Sequence, residues 1–238
     1  MIPFVITGDT HGEYNRLLEI INIMQKYKDK KEKYICVTGD FGYLFENTGN
    51  EHMLLNDIEK LDFTFVVVPG NHENYNAFKE YEVVDFHGAA AYKVRNNIFY
   101  IRRGEIFKIG NKTFFAMSGG NSIDRYMRRE NISWWKDEMP TDDEYKYAAQ
   151  NIEDYRKNGG RIDYVLSHTA PLSGLAYLGK DHGYDERPLN NFLEYVREIL
   201  RNECIMHFYG HLHLDREMPA INQRVLWFDY VELKLEEV

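Results

Sequence analysis

Thr7-Gly8-Asp9-Thr10-His11-Gly12, directly behind the apolar run Ile2 to Ile6, decides how the rest of the chain reads. A short apolar run closed by a glycine predicts a buried strand over residues 2–7. Asp9 and His11 stand two apart. In a strand, residues i and i+2 share a side, so this spacing predicts that a carboxylate and an imidazole converge at the strand's carboxyl end. Oxygen and nitrogen donors at a fixed spacing make a half-site for a divalent metal. An aspartate after a strand also serves as a turn former or helix cap, so the pair alone decides nothing. Its meaning depends on what the other strand ends carry.

The strand–loop–helix pattern recurs. Leu17, Leu18, Ile21 and Met24 repeat at helical spacing between Gly12 and about Tyr27. Tyr34 to Thr38 reads as a second strand that delivers Gly39-Asp40, and a helix is expected around Glu51 to Leu61. Phe63 to Val68 is a third strand, apolar throughout as expected for one covered on both faces, and it ends in Pro69-Gly70-Asn71-His72-Glu73. Three such units in succession predict a parallel sheet with right-handed crossovers, whose carboxyl edge is the place for a ligand.

The middle of the chain changes character. Val83 to Phe86, Asn97 to Arg102, Glu105 to Ile109 and Lys112 to Ser118 look like short strands with little helix between them. Gly110-Asn111 is a two-residue hairpin signal. These runs predict a second, more antiparallel sheet, completed by Arg224 to Tyr230 and Val231 to Leu235. Thr141 and Glu144 form a capping box for a helix to about Asn158. A strand over Ile162 to Leu166 leads into Ser167-His168, and a helix follows from Pro188 to about Arg201. A strand over Glu203 to Tyr209 then ends in Gly210-His211-Leu212-His213. Gly119 to Pro140 has no period; it carries Asp124, Arg125, Arg128, Arg129 and Trp134-Trp135, and its length suits a lid.

The 238 residues are 44% hydrophobic and 28% charged, which fits a single domain over 1–238. The formal net charge of −9, without a block of Lys or Arg, argues against a long nucleic acid as partner, because such binding draws on phosphate neutralisation. Cys36 and Cys204 are each expected inside a strand, outside any C-x-x-C pair, as buried reduced thiols. No signal-peptide pattern or membrane-length apolar run is read, so the expected setting is cytoplasmic, with no membrane partner.

Five strand ends therefore carry potential ligands: Asp9 with His11, Asp40, Asn71 with His72, His168, and His211 with His213. Each has an ordinary explanation by itself, as a turn residue or a hydrogen-bonded core histidine; five at one sheet edge point to a shared centre. His52, His87, His182 and His207 lack the pattern and read as structural or surface residues. His207 reads as core packing or as support behind the last cluster.

The blocks G-D-T-H-G, G-D-F-G, G-N-H-E, S-H-T-A-P and G-H-L-H, in this order over residues 8–213, resemble the calcineurin-like metallophosphoesterase superfamily. The stretch from Gly119 through Trp134-Trp135 resembles a segment of uncharacterised bacterial and phage members. The resemblance implies an α/β four-layer α-β-β-α sandwich, two mixed sheets packed face to face with flanking helices. It implies two divalent metal ions, one held by Asp9, His11, Asp40 and His213 and the other by Asp40, Asn71, His168 and His211, with Asp40 bridging. It places His72 at the leaving-group oxygen as a catalytic proton or hydrogen-bond donor rather than a ligand.

The implied reaction is hydrolysis of a phosphomonoester or phosphodiester by a metal-bridging hydroxide. Carboxylate, amide and imidazole donors without thiolate suit manganese first, with iron or zinc as alternatives. A nuclease or RNA-processing phosphodiesterase and a protein phosphatase are the alternative enzymes. A non-enzymatic binding protein of the same fold is disfavoured because every ligand position is filled. In the protein-phosphatase branch the second block continues to Asp-Arg-Gly, whereas here Asp40 is followed by Phe41-Gly42-Tyr43-Leu44. The missing cation is then expected from the 119–140 segment, with Arg125 as the substrate-binding candidate; local ion pairing of Asp124 with the arginines is the other reading. Oligomeric state is not set by the sequence.

Overall fold

The computed structural model describes residues 1–181 and 183–238; His182, read above as structural or surface, lies outside them. The chain opens with β1 (Ile2–Thr7), α1 (Tyr14–Met24), β2 (Tyr34–Val37), α2 (Gly49–Glu59) and β3 (Thr64–Val67). The strand pairings β1–β2 and β2–β3 are parallel, as the repeated strand–helix units predict. Then come β4 (Val83–Phe86), β5 (Ala89–Arg95), β6 (Ile98–Ile101), β7 (Glu105–Ile109) and β8 (Lys112–Met117). The chain closes with α3 (Asp142–Lys157), β9 (Tyr164–Ser167), α4 (Leu172–Leu178), α5 (Arg187–Ile199), β10 (Met206–Tyr209), β11 (Arg216–Met218), β12 (Gln223–Val225) and β13 (Tyr230–Leu235).

Two mixed sheets result, a seven-stranded one in the order β13-β1-β2-β3-β6-β5-β4 and a six-stranded one in the order β11-β12-β10-β9-β8-β7. The four layers follow from alternation along the strands, since successive side chains leave a strand on opposite faces. Val5, Ile35, Val37, Phe65 and Val67 join Leu17, Ile21, Met24, Leu55 and Ile58 in the core beneath α1 and α2. Their neighbours Phe4, Ile6, Cys36 and Val66 face Phe107, Phe114, Leu166 and Phe208 between the sheets. Phe115, Met117 and Val165 pack with Ala148, Ile152, Leu193 and Val196 beneath α3 and α5. This is the expected α/β four-layer sandwich.

Local signals fared better than pairing. The Thr141–Glu144 capping box starts α3, a second box of Thr48 and Glu51 starts α2, and the Gly110-Asn111 turn joins β7 to β8. The second sheet, however, begins only at β7. The strand β6 lies parallel to β3, β5 and β4 extend the same sheet, and β13 pairs antiparallel with β1. Residues 83–102 and 230–235 therefore belong to the first sheet. Alternation identifies a strand but not its neighbour, and here Ile98 and Tyr100 are claimed by the core under α1 and α2.

The alanine-rich β5 and the seven-residue α4 gave too little periodicity to be read. Cys36 lies in β2 as expected, but Cys204 precedes β10; both thiols are free, and burial pushes Cys204 up to about 12. Among the described residues no helix is long and apolar enough to cross a membrane.

Candidate metal centre

The strands β1, β2 and β3 of one sheet and β9 and β10 of the other end at a common edge, and the five blocks follow directly from them. Convergence there does not come from the pleat of β1, which stops at Thr7 before Asp9 and His11. It comes from backbone turns. Asp9, His11, Asp40, His211 and His213 all have positive φ, between 41° and 65°. Non-glycine residues held there cost on the order of 1–3 kcal/mol each and persist only where the surroundings enforce them.

The enforcement is visible. Asp9 N–H donates to the Gly39 carbonyl at 3.1 Å, His11 N–H to the Asp40 carbonyl at 2.7 Å and Gly210 N–H to the His168 carbonyl at 2.9 Å. The His211 N–H donates to the Asp9 carboxylate, and the His72 N–H to Asp40 Oδ1 at 2.8 Å. From α1, the buried Arg16 donates to the carbonyls of Gly8 and Asp9. Two glycines leave room for the cluster. A Cβ on Gly39, at φ +93°, would lie 2.0 Å from His168 Nδ1, and one on Gly70 would lie 2.2 Å from Asp40 Oδ1.

The structure gathers the candidate donors into three overlapping groups: Asp9, His11 and His213; His11, Asp40 and His72; and Asp40, His168 and His211. Within each group the donor atoms lie within 4.8 Å of one another. Asp40 belongs to two groups, and His72 stands within ligand distance of His11 and Asp40. The Nε2 atoms of His11 and His213 face each other at 3.1 Å, and Trp227 stacks on the His213 ring at 5.1 Å.

Two orientations test whether these residues suit a cation. The Nδ1 of His168 lies 3.0 Å from the Thr38 carbonyl, which only accepts, so Nδ1 carries a proton and Nε2 is the nitrogen aimed at the cluster. Asn71 donates from Nδ2 to Ser122 Oγ, whose own proton goes to Glu138, so the Asn71 carbonyl oxygen must also face inward. That oxygen lies 2.9 Å from His168 Nε2, with Asp40 Oδ1 at 3.3 Å. Three electron-rich atoms fixed around one point fit a divalent ion.

The electrostatics agree. Burial pushes Asp9 up to about 7. Burial opposes charge on His168, but the Asp40 and Asp9 carboxylates outweigh it and drive His168 up to about 10, so without an ion Nε2 holds a proton where a cation would take its place. Burial lowers His11 to about 4, and it also lowers His72 against the pull of Asp40. The buried carboxylates draw positive charge to the centre, while His11 stays neutral.

Supporting carboxylates escaped the sequence reading. Glu73, fully buried, accepts from the N–H groups of Phe41 and Gly70 and so fixes the Asp40 loop against the Asn71 loop. Its place in the G-N-H-E block was the available signal. Glu186 lies 3.0 Å from His211 Nε2 and accepts from Asn121 N–H and Thr169 Oγ1. Ser122 and Glu138 bracket the long segment with no spacing that marks them.

Within that segment, Arg125 turns to Asp185 at 2.7 Å and Asn121 at 3.2 Å, and it is Arg128 that reaches the cluster, with Nη2 3.3 Å from His72 Nε2. Trp135 is buried in the core under α1 and α2, while Trp134 lies partly exposed beside Arg125. A cavity of about 650 Å³ beside Tyr75, Phe78 and Arg103 is lined by none of the candidate ligands.

No curated protein matches the sequence. Among solved structures, the crystal structure of phosphopantetheinyl hydrolase from Mycobacterium tuberculosis aligns with a TM-score of 0.45 and 14% identity, over 94% of this chain and 87% of that one. The model of the calcineurin-like phosphoesterase family matches residues 2–215, from the first strand past the last pair of histidines. The chain belongs to the calcineurin-like phosphoesterase family.

Proposed function

We propose that this phosphoesterase hydrolyses a phosphomonoester or phosphodiester at a centre of two divalent ions. The observation that carries the reading is the fixed inward aim of His168 Nε2 and Asn71 Oδ1 beside Asp40, with His11 and His213 facing each other nearby. Asp9, His11, Asp40 and His213 would hold one ion; Asp40, Asn71, His168 and His211 would hold the other. Manganese is the first expectation from the donor set, with iron or zinc as alternatives. When bound, the two ions supply Lewis acidity toward phosphate oxygens and a hydroxide nucleophile near neutral pH.

The chain's own residues do the rest. The Asp40 carboxylate, which belongs to two of the donor groups, would offset repulsion between two bound ions. Asn71 adds a neutral oxygen, so the centre keeps enough positive charge to receive an anionic ester. His72 is the acid: its backbone is tied to Asp40, one face of its ring packs on Phe45 at 5.2 Å, and it delivers a proton or hydrogen bond to the departing oxygen. Two free thiols support a reducing, cytoplasmic setting for this chemistry.

The test is metal analysis of the purified protein, followed by a manganese-supplemented panel of p-nitrophenyl monoester, its bis-ester, a 2′,3′-cyclic nucleotide, single-stranded RNA and a phosphopeptide. Turnover of a small ester by metal-loaded protein is expected. Metal-free protein with full turnover, or loaded protein inert on every ester, would refute the reading.

A further inference from the structure

We propose that Arg128 is the cation that binds the substrate's phosphoryl group in this enzyme, delivered to His72 by the 119–140 segment and held there by Asp124. The proposal rests on the phosphoesterase reading above and names a residue that the second block does not supply. Its first support is place. Arg128 Nη2 lies 3.3 Å from His72 Nε2 and donates to it, so a phosphoryl oxygen that takes the place of this contact meets the guanidinium and the imidazole together. An arginine has only donors; here the Nε and Nη2 edge pairs with both oxygens of Asp124, which leaves the Nη1 and Nη2 end of the fork to meet phosphate oxygens.

The second support is restraint. Arg128 forms an ion pair with Asp124 at 2.7 Å and donates to the Ser133 carbonyl at 3.2 Å, with its side chain 18% exposed. A guanidinium already fixed loses little further freedom on meeting a ligand. The segment that carries it is tied to the loop of residues 69–73 at two points. Gly119 N–H donates to the Pro69 carbonyl at 2.9 Å, and Asn71 donates to Ser122, which is bonded to Glu138. Behind His72, Phe45 meets the edge of the buried Trp135. The segment therefore presses on His72 from two sides.

The local backbone explains why Arg128 faces inward. A single 3-10 turn spans Arg125–Met127, and Arg128 ends it in extended conformation, which turns the chain and separates the directions of the neighbouring arginines. Arg125 is taken by Asp185, and Arg129 is exposed.

Inorganic phosphate is the probe, both as ligand of the manganese-loaded protein by calorimetry and as inhibitor of p-nitrophenyl phosphate hydrolysis. Arg128→Ala should weaken phosphate binding and raise KM by about tenfold or more, the loss expected for a charged hydrogen bond. Manganese content and thermal midpoint should stay unchanged, and Arg128→Lys should recover only part of the affinity because it lacks the fork. If wild type turns over the ester and Arg128→Ala keeps phosphate affinity and KM within about twofold, the assignment is overturned. If instead wild type hydrolyses no ester yet binds phosphate in an Arg128-dependent way, the hydrolytic reading fails and the Arg128 assignment stands.

Discussion

The side-chain amide of Asn71 donates from Nδ2 to Ser122 Oγ at 3.2 Å, and that bond decides which end of the amide meets His168. Ser122 in turn is held by Glu138, which accepts from both its hydroxyl and its backbone N–H. Removing the hydroxyl frees the amide to rotate and to present N–H groups, which repel a cation. Ser122→Ala should therefore weaken manganese binding about tenfold to a hundredfold, the usual effect of losing a residue that orients a ligand. Chelator competition measures it. An affinity equal to wild type would mean that the amide is oriented by something else.

His72 separates chemistry from metal binding. Its ring is packed by Phe45 and met by Arg128, while its backbone N–H is bonded to Asp40 and its ring edge meets His11, two of the groups assigned to ions. His72→Ala should lower kcat on an ester with a poor leaving group by about 10²–10⁴-fold, the range for general acid catalysis. Manganese content should match wild type, and an activated p-nitrophenyl ester should lose less because its leaving group needs no proton. Loss of bound manganese in the variant would make His72 a ligand, a role its nearness to His11 and Asp40 permits.

Metal removal should show in stability as well as activity. The strained turns at Asp9, His11, Asp40, His211 and His213 gather buried carboxylates and lone pairs that a cation would relieve. A ligand that binds only the folded state stabilises it by about 2.7 kcal/mol at a hundred times its Kd. Chelated protein should melt at a lower temperature and recover on addition of manganese, whereas Asp40→Asn should recover little because both ion sites share that carboxylate. A melting temperature indifferent to chelator in a protein shown to contain metal would contradict this.

Much of this centre was legible because its chemistry lies in short blocks that directly follow strands. Asp9, Asp40, Asn71, His168 and His211 each stand within four residues of the end of a strand. What stayed hidden depends on distant partners. The left-handed turns that aim the ligands are enforced by hydrogen bonds between loops, such as His11 N–H to the Asp40 carbonyl, which no local spacing encodes. Strand β6 reads as a strand from its residues, but its place beside β3 follows from burial against residues earlier in the chain. Arg125 and Arg128 are equivalent by composition, and only the 3-10 turn between them selects which meets His72.

His207, in β10, links stability to pH. Its Nε2 lies 2.7 Å from Ser167 Oγ, which donates its own proton to the Thr169 carbonyl, so His207 is the donor and is neutral. Burial, aided by Arg197, lowers its pKa from 6.5 to about 3. Because the folded value is depressed, the unfolded chain binds a proton between these limits that the native state does not. The stabilisation from neutral His207 is thus full above pH 6.5 and is lost as pH falls toward 3. By about pH 4.5 the loss is about 2–3 kcal/mol. His207→Gln keeps a donor for Ser167 without the titration. It should be less stable than wild type at about pH 7.5, with the gap closing by that amount at about pH 4.5 in parallel denaturant melts. A gap that stays constant across this range would show that His207 does not titrate on unfolding as its burial requires.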